Sequence, residues 1–403
     1  MAGLSEVDMT AVLRDAVHIT RELSIPYLWI DSLCILQDDP ADWEQHCLDM
    51  GKVYGSAHVT LCAASSASCH EGFLSQRGLR LRLPFQSQSN PDIISGAYDL
   101  QFKHVRALST PDHQSVLACD LNFCHWAYRA WTFQERALAT RMIVFGSSNI
   151  HFLCGNSYES RGDGPQLMVK GYHISLNTKP VDVNQHHRLW DRILSSYSMF
   201  NQTSLTRPSD ILPALAALAR HFQQRLDSDY LCGHWVKNLV RDLMWNHRLR
   251  QNLSSQIEHR AHLIAREGLV PSWSRLLQSR RTENIFICGY LMSRSVRVEY
   301  RDVTPNVSLA GANSFGEVHE AILRLTTWVL KPTSMLMQKE NSIAMKEKHC
   351  GFQAAFGLVL QAVPGAPGRY WRVGTFIPSI NGLHADSLSL FRNLAQVETI
   401  DII

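Results

Sequence analysis

Tyr27-Leu28-Trp29-Ile30-Asp31-Ser32-Leu33-Cys34-Ile35-Leu36-Gln37-Asp38-Asp39 is the stretch around which the rest of the chain is organised. Bulky apolar residues at every position from 27 to 30 suit a short strand covered on both faces, since a half-exposed strand would alternate. Asp31 breaks the run. A carboxylate at the end of a buried parallel strand sits where open α/β sheets present ligand-binding groups. Asp39-Pro40 then reads as a helix start, because Asp accepts the first free N–H groups and Pro at the first helical position has no N–H to lose.

Upstream, Val12, Ala16, Ile19 and Leu23 recur at helical spacing, which predicts a helix capped by Asp8 and ended by Pro26. Downstream, the helix from Asp39 is expected to run to about Tyr54 with Trp43, Cys47, Met50 and Tyr54 inward and Gly55 closing it. Val59 to Ala64 reads as a second buried strand. The order helix, strand, helix, strand favours a parallel sheet with helices on its faces. The polar 86–96 segment reads as loop. Trp131 to Ala137 is predicted helical, with Phe133 and Ala137 on one face and Gln134 and Glu135 pointing elsewhere. Met142–Phe145 and Ile150–Cys154, separated by Gly146-Ser147-Ser148-Asn149, form a β-hairpin pattern.

Residues 155 to 185 are rich in Gly, Asn, Ser and Pro, which marks a boundary. The expected organisation is an α/β domain over 1–160, a connection over 161–185, and a C-terminal region over 186–403. That region opens with helices over His186–Phe200, from Ser209 or Asp210 to about Arg225, and over Trp235–Leu249. It turns strand-like from about Ile285, as in Val296–Tyr300, Ala321–Leu330 and Tyr370–Phe376.

Composition excludes several functions. The 403 residues carry a formal charge of +3 without a Lys/Arg-rich tract, so neither nucleic acid nor an acidic membrane is an expected partner. The ten cysteines include no C-x-x-C pair. Cys119-x4-Cys124-His125 lacks a second pair at zinc spacing, and His186-His187 and His259-x-x-His262 lack further ligands, so no metal and no cofactor is expected. The N-terminus has no signal core, which points to reduced thiols in the cytoplasm. The apolar run Ile211–Ala219 contains Pro213 and is too short to span a bilayer. Phosphate-loop, dinucleotide-fold, esterase and zinc-protease motifs do not occur.

The residues from Tyr27 to Arg77 resemble the central block of the fungal heterokaryon-incompatibility (HET) domain, including its short G-[LF]-x(3)-R element at Gly72-Phe73-Leu74 and Arg77. Arg129-Ala130-Trp131-Thr132-Phe133-Gln134-Glu135-Arg136 resembles the same domain's R-x-W-T-x-Q-E-R signature. Trp190 to Ser198, Leu205 to Asp210, Tyr230 to Trp235 and Pro271-Ser272-Trp273-Ser274 resemble the region that commonly follows it. Two departures stand out. The family's opening strand with its L-S-Y-x-W-G motif is not found, so the domain is expected to be N-terminally truncated, and Arg275 stands where the family often has Trp.

The resemblance implies a core like that of Toll/interleukin-receptor domains: a parallel sheet flanked by helices, followed here by a helical segment and a β-rich part. It implies a role in fungal non-self recognition and programmed cell death, triggered through an unidentified protein partner. Some Toll/interleukin-receptor domains cleave the glycosidic bond of NAD, which needs a carboxylate near the developing oxocarbenium charge. On that account Asp31, Asp38 and Glu135 are the candidate catalytic groups, and Cys34, Gln37, Trp131 and Gln134 line the nucleotide. The competing accounts are a non-catalytic module acting by self-association and an inactive truncated paralogue. Each residue also has a plain reading: Asp31 a loop anchor, Glu135 a salt bridge with Arg129 or Arg136, and Cys34 and Trp131 core residues. Convergence of the polar candidates on one cleft is the expectation that separates catalysis from scaffolding.

Overall fold

The computed structural model describes residues 5–74, 80–89, 95–101, 116–122, 124–147, 149–155, 157–160, 166–167, 182–200, 205, 207–243, 245–247, 270–276, 285–287, 302–329, 357–376 and 396–403. The chain divides into two compact units, Met1–Leu226 and Asp227–Ile403.

In the first unit α1 (Ala11–Glu22) starts after Thr10, and Asp8 lies in a preceding 3-10 turn rather than at the cap. Its Val12, Ala16 and Ile19 pack into a cluster with Phe73 and Phe145. Tyr27 to Ile30 is not a strand. The segment reaches Ile30 in extended geometry, but it pairs with no strand among the described residues, and Tyr27 is 87% exposed. Leu28 and Ile30 rest on the same cluster as Leu61 and Ile143. Apolar side chains supply a surface to cover, whereas a strand exists only where a neighbouring chain takes its N–H and C=O groups, and local sequence does not specify that neighbour.

A single turn, α2 (Asp31–Cys34), follows, then α3 (Pro40–Ser56). The Asp39 carboxylate accepts the amides of Ala41 and Asp42 at 2.9 and 3.3 Å, as its position before Pro40 predicts. Gly55 does not close this helix. It lies inside the last turn, where Ala57 N–H bonds Val53 and the Thr140 hydroxyl takes the Gly55 carbonyl at 2.9 Å, so the end carbonyls are satisfied without a left-handed residue.

Next come β1 (Thr60–Cys62), a separate antiparallel hairpin of β2 (Arg80–Gln86) and β3 (Ser95–Gln101), α4 (Val116–Asn122) and α5 (Ala130–Leu138). Then β4 (Arg141–Phe145), β5 (Ile150–Cys154), β6 (Ser157–Ser160) and β7 (Gln166–Leu167) complete a sheet of order β1-β4-β5-β6-β7. Within it β1 and β4 are parallel, with Cys62 opposite Val144, and the later neighbours are antiparallel. β4 and β5 form the expected hairpin, with Met142 opposite Leu153 and Phe145 opposite Ile150. β5 alternates, burying His151 and Leu153 and exposing Ile150, Phe152 and Cys154. Cys62, Leu117, Leu121, Met142, Val144, Leu153 and Tyr158 form the core beneath it.

Helices α6 (Val183–Phe200) and α7 (Ala216–Leu226) belong to this same unit and pack on α5 and α3, for example through Phe133 against Tyr197 with centroids 5.5 Å apart. The 161–185 connection lies largely outside the described residues, as do Arg77, His259, His262 and Val296–Tyr300.

Gly72 shows why this unit needs a bare backbone at one point. The Asp15 carboxylate reaches from α1 to accept the amides of Phe73 and Leu74 at 2.6 and 3.1 Å, and a Cβ at residue 72 would lie 2.5 Å from the same oxygen. Gly72→Ala is therefore expected to displace Asp15 and destabilise the unit by about 1–3 kcal/mol, as a lost pair of charge-assisted bonds would. Urea unfolding checks this; an unchanged midpoint would contradict it.

The second unit begins with a short hairpin, β8 (Tyr230–Leu231) and β9 (His234–Trp235), turning through Cys232 and Gly233 at positive φ. The helix expected over Trp235–Leu249 is reduced to α8 (Leu239–Asp242), and Trp245 starts β10 (Trp245–His247), paired with β11 (Ile285–Ile287). The reason is tertiary. Both indoles are fully buried, and Trp245 donates its N–H to the Trp273 carbonyl at 3.1 Å, which fixes it in the core rather than on a helix face.

β12 (Asp302–Leu309), β13 (Val318–Val329), β14 (Gly357–Ala362), β15 (Arg369–Phe376) and β16 (Gln396–Ile402) build a sheet of order β12-β13-β16-β15-β14, the β-rich part that the sequence predicts. Pro271-Ser272-Trp273-Ser274 ties this unit together. Ser272 Oγ accepts the Arg372 amide at 2.9 Å and donates to the Ile403 carbonyl, and Ser274 Oγ donates to the Cys232 carbonyl at 2.6 Å. Arg372 lies 3.7 Å above the Trp245 ring and donates to the Leu243 and Trp245 carbonyls. The following residue, Arg275, is 1% exposed and its amide donates to His234 Nε2 at 3.2 Å.

Candidate functional site

Two candidate carboxylates act on Tyr54 of α3. Glu135 sits in α5, which is buried around most of its girth: Thr132, Phe133, Gln134, Glu135 and Ala137 are all buried, so Gln134 and Glu135, off the Phe133–Ala137 face, are covered as well. The reason is that α5 is covered by α3 and by α6 and α7, a crowding that a one-faced helical pattern does not foresee.

Burial pushes the Glu135 carboxyl up from its ordinary 4.5 to about 7. The Arg129 guanidinium pulls it down, the Asp31 carboxylate pushes it further up, and a hydrogen bond from Tyr54 pulls it down. The Tyr54 phenol is in turn held far above its usual range, first by burial and then by the charges of Glu135 and Asp31. The Tyr54 hydroxyl thus donates to Glu135, with Asp31 and Arg129 within electrostatic reach of both. Trp29 closes one side, its ring edge-on to Tyr54 at 5.8 Å and 6.4 Å from His46.

The loop that carries Asp31 is held from within. Asp31 Oδ1 accepts the Ser32 amide at 2.8 Å, Asp42 Oδ2 accepts the Leu36 amide at 2.8 Å, and Gln37 Nε2 donates to the carbonyls of Ile35 and Asp31 at 2.9 and 3.4 Å. Asp31 is therefore half-buried at the start of a braced turn, with one carboxylate oxygen bonded to its own loop.

The remaining candidates lie elsewhere. Cys34, Gln37 and Asp38 are exposed, and Gln37 braces the Asp31 turn. Trp131 is half-buried, gives its indole N–H to Asp210 at 2.9 Å and stands edge-on to Trp43 at 5.9 Å. Gln134 is 0% exposed, and neither its amide oxygen nor its nitrogen has a partner among the described residues. The Asp31 charge acts on Glu135, whereas Cys34, Gln37 and Asp38 stay on the exposed loop.

Tyr54, Arg129 and Trp29 complete the cluster, and sequence reasoning missed the roles of Tyr54 and Trp29. Tyr54 reads as one more apolar position of the α3 stripe, and no local signal separates a packed phenol from one aimed at a distant carboxylate. Arg129 is one of the two arginines that the plain reading of Glu135 names, and of the two it is Arg129 whose charge lowers the Glu135 carboxyl.

A buried carboxyl poised near neutral pH with a second carboxylate acting on it is a chemical pair, the first suited to exchanging a proton. Among the described residues no three His, Cys, Asp or Glu side chains converge as a metal site, and no helix is long and apolar enough to cross a membrane. No curated protein and no solved structure matches the chain. Residues 2–135 match the family described as Heterokaryon incompatibility protein (HET), a match that contains Asp31, Tyr54 and Arg129 and ends on Glu135. The first third of this chain is thus similar to the heterokaryon incompatibility (HET) family.

Proposed function

We propose that the chain is a cell-death effector of an incompatibility response whose HET domain hydrolyses the glycosidic bond of NAD or a related nucleotide. The observation that supports this most is the Glu135 carboxyl, buried, bonded to Tyr54 and raised to about 7 beside Asp31. In this reading Asp31 stabilises the oxocarbenium charge as nicotinamide leaves, and Glu135 takes the proton of the attacking water. Tyr54 holds the Glu135 carboxylate in place, and Arg129 keeps part of it ionised at neutral pH. The braced α2 turn fixes Asp31. A catalytic site of this kind would share its sheet with Toll/interleukin-receptor domains through the parallel β1–β4 pair.

A second reading has its own support. Tyr27 and Leu36 flank Asp31 and are 87% and 59% exposed, apolar surface that a self-associating signalling module would use. Expression of the chain in a fungal host separates the two. Growth arrest with falling NAD that Asp31→Ala abolishes at unchanged protein level is the result expected for the enzyme. Arrest without NAD loss, retained by Asp31→Ala and removed by Leu36→Asp, would overturn it in favour of self-association.

A further inference from the structure

Trp29 is held against α3 by two rings that lie about two helical turns apart. Its indole is 6.4 Å from the His46 imidazole, tilted by 44°, and 5.8 Å from the Tyr54 phenol, edge-on at 79°. Among the described residues no ring lies flat on it and no group takes its indole N–H. The backbone explains the direction. Leu28 and Ile30 rest on the Phe73–Phe145 cluster and Ile30 is extended, so Trp29 leaves the opposite side of the segment. Asp31, one residue beyond Ile30, leaves on the Trp29 side by the same alternation. Trp29, Asp31, His46 and Tyr54 are each half-buried, so solvent reaches this face.

Charge supplies the second ground. Each ring that Trp29 meets carries a carboxyl: Asp42 Oδ2 lies 3.7 Å from His46 Nε2, and the Tyr54 hydroxyl donates to Glu135. With Asp31 there are three carboxyl groups here, set against the Arg129 guanidinium and the imidazole. An indole face attracts a flat cation, and carboxylates nearby add to the attraction. Trp131 is occupied differently, with its N–H given to Asp210 at 2.9 Å and its ring edge-on to Trp43 at 5.9 Å.

We infer that Trp29 is the stacking wall for the substrate's nicotinamide ring and selects the oxidised, positively charged ring over a neutral one. The inference rests on the nucleotide reading and names the part of the substrate that this face holds. When the bond from the ribose to the ring nitrogen breaks, the nitrogen keeps the electron pair and the ring leaves neutral. Its attraction to the indole is then lost, so Trp29 serves recognition and release of the ring rather than the rate of cleavage.

The test titrates the whole chain calorimetrically with 1-methylnicotinamide, which keeps the positive charge and has no glycosidic bond to cleave, and with neutral nicotinamide. Wild type is expected to bind the charged probe roughly two- to thirtyfold more tightly, the range of a cation over an indole. Trp29→Leu should abolish that preference, and Trp29→Phe should keep only part of it, because a phenyl face is the weaker partner. In turnover, Trp29→Leu should raise KM for NAD by a similar factor without lowering kcat. Wild type binding the two probes equally, or binding neither, would overturn the inference. So would a full preference in Trp29→Phe, the variant that decides if Trp29→Leu fails to fold. Loss of the preference in Trp131→Phe with its retention in Trp29→Leu would give the ring to the other tryptophan. Failure of the catalytic reading looks different: the charged probe would bind through Trp29 while wild type left NAD intact.

Discussion

Replacing Glu135 by Gln is expected to abolish turnover and yet make the protein more stable at alkaline pH. The activity loss follows from the role proposed for the carboxylate: a positioned general base contributes roughly 10²–10⁴ in rate, and an amide cannot accept the proton. In wild type the rate should rise with pH as Glu135 ionises near 7, and the rising limb should be missing from the residual rate of Glu135→Gln.

Stability moves the opposite way. The folded carboxyl is raised above its ordinary 4.5, so its contribution to stability is complete below that pH and is lost as pH rises through about 7. A rise of that size corresponds to on the order of 3 kcal/mol at pH 8, with the attraction of Arg129 and the Tyr54 bond already included. The amide that takes the place of Glu135 in the variant stays neutral and keeps an oxygen for the Tyr54 hydroxyl. Urea midpoints measured from pH 4 to 8 should therefore converge at the acid end and separate in favour of the variant at the alkaline end. A variant less stable than wild type at pH 8 would show that the ionised carboxylate is a paired structural anchor. Such a group is stabilising where it stands and is not held ready for chemistry.

Asp120→Ala is expected to be the most damaging single change in the first unit. Asp120 lies in α4 and is buried under the β4–β5 turn, where it takes the Ser147 hydroxyl at 3.0 Å, the Asn149 amide at 3.0 Å and His151 Nε2 at 2.9 Å. Both it and His151 are shielded from water, at 1% and 0% side-chain exposure. The turn is shaped to this carboxylate: a Cβ on Gly146 would fall 2.2 Å from Asp120 Oδ2. Removing it leaves three donors in an apolar surrounding, which is destabilising by about 3–5 kcal/mol. For a unit of this size that is a fall of roughly 10 °C in midpoint. Asp120→Asn retains acceptor and shape and should lose less than half as much. Equal losses for both variants in a thermal melt would mean that charge on Asp120, rather than its oxygens, holds the turn.

The sequence by itself determined what is local. Asp39-Pro40 capped α3 because a carboxylate and a missing N–H act within one turn. The β4–β5 hairpin followed from two apolar runs around a Gly-Ser-Ser-Asn turn, and the HET family was carried by the Tyr27–Arg77 and Arg129–Arg136 blocks. Asp31 and Glu135 were likewise legible, as carboxylates inside those blocks. Only the tertiary structure decided whether Tyr27–Ile30 would find a ladder partner, which it does not among the described residues, and whether Trp245 would lie on a helix or in the core. It also decided that Tyr54 reaches Glu135, that Asp31 stands close enough to raise it, and that Trp29 lies against His46 and Tyr54. The physical reason is common to these cases. Caps, turns and periodicity act over a few residues of chain, whereas ladder pairing, desolvation and charge–charge coupling depend on distances that exist only after α3, α5 and the sheet have come together.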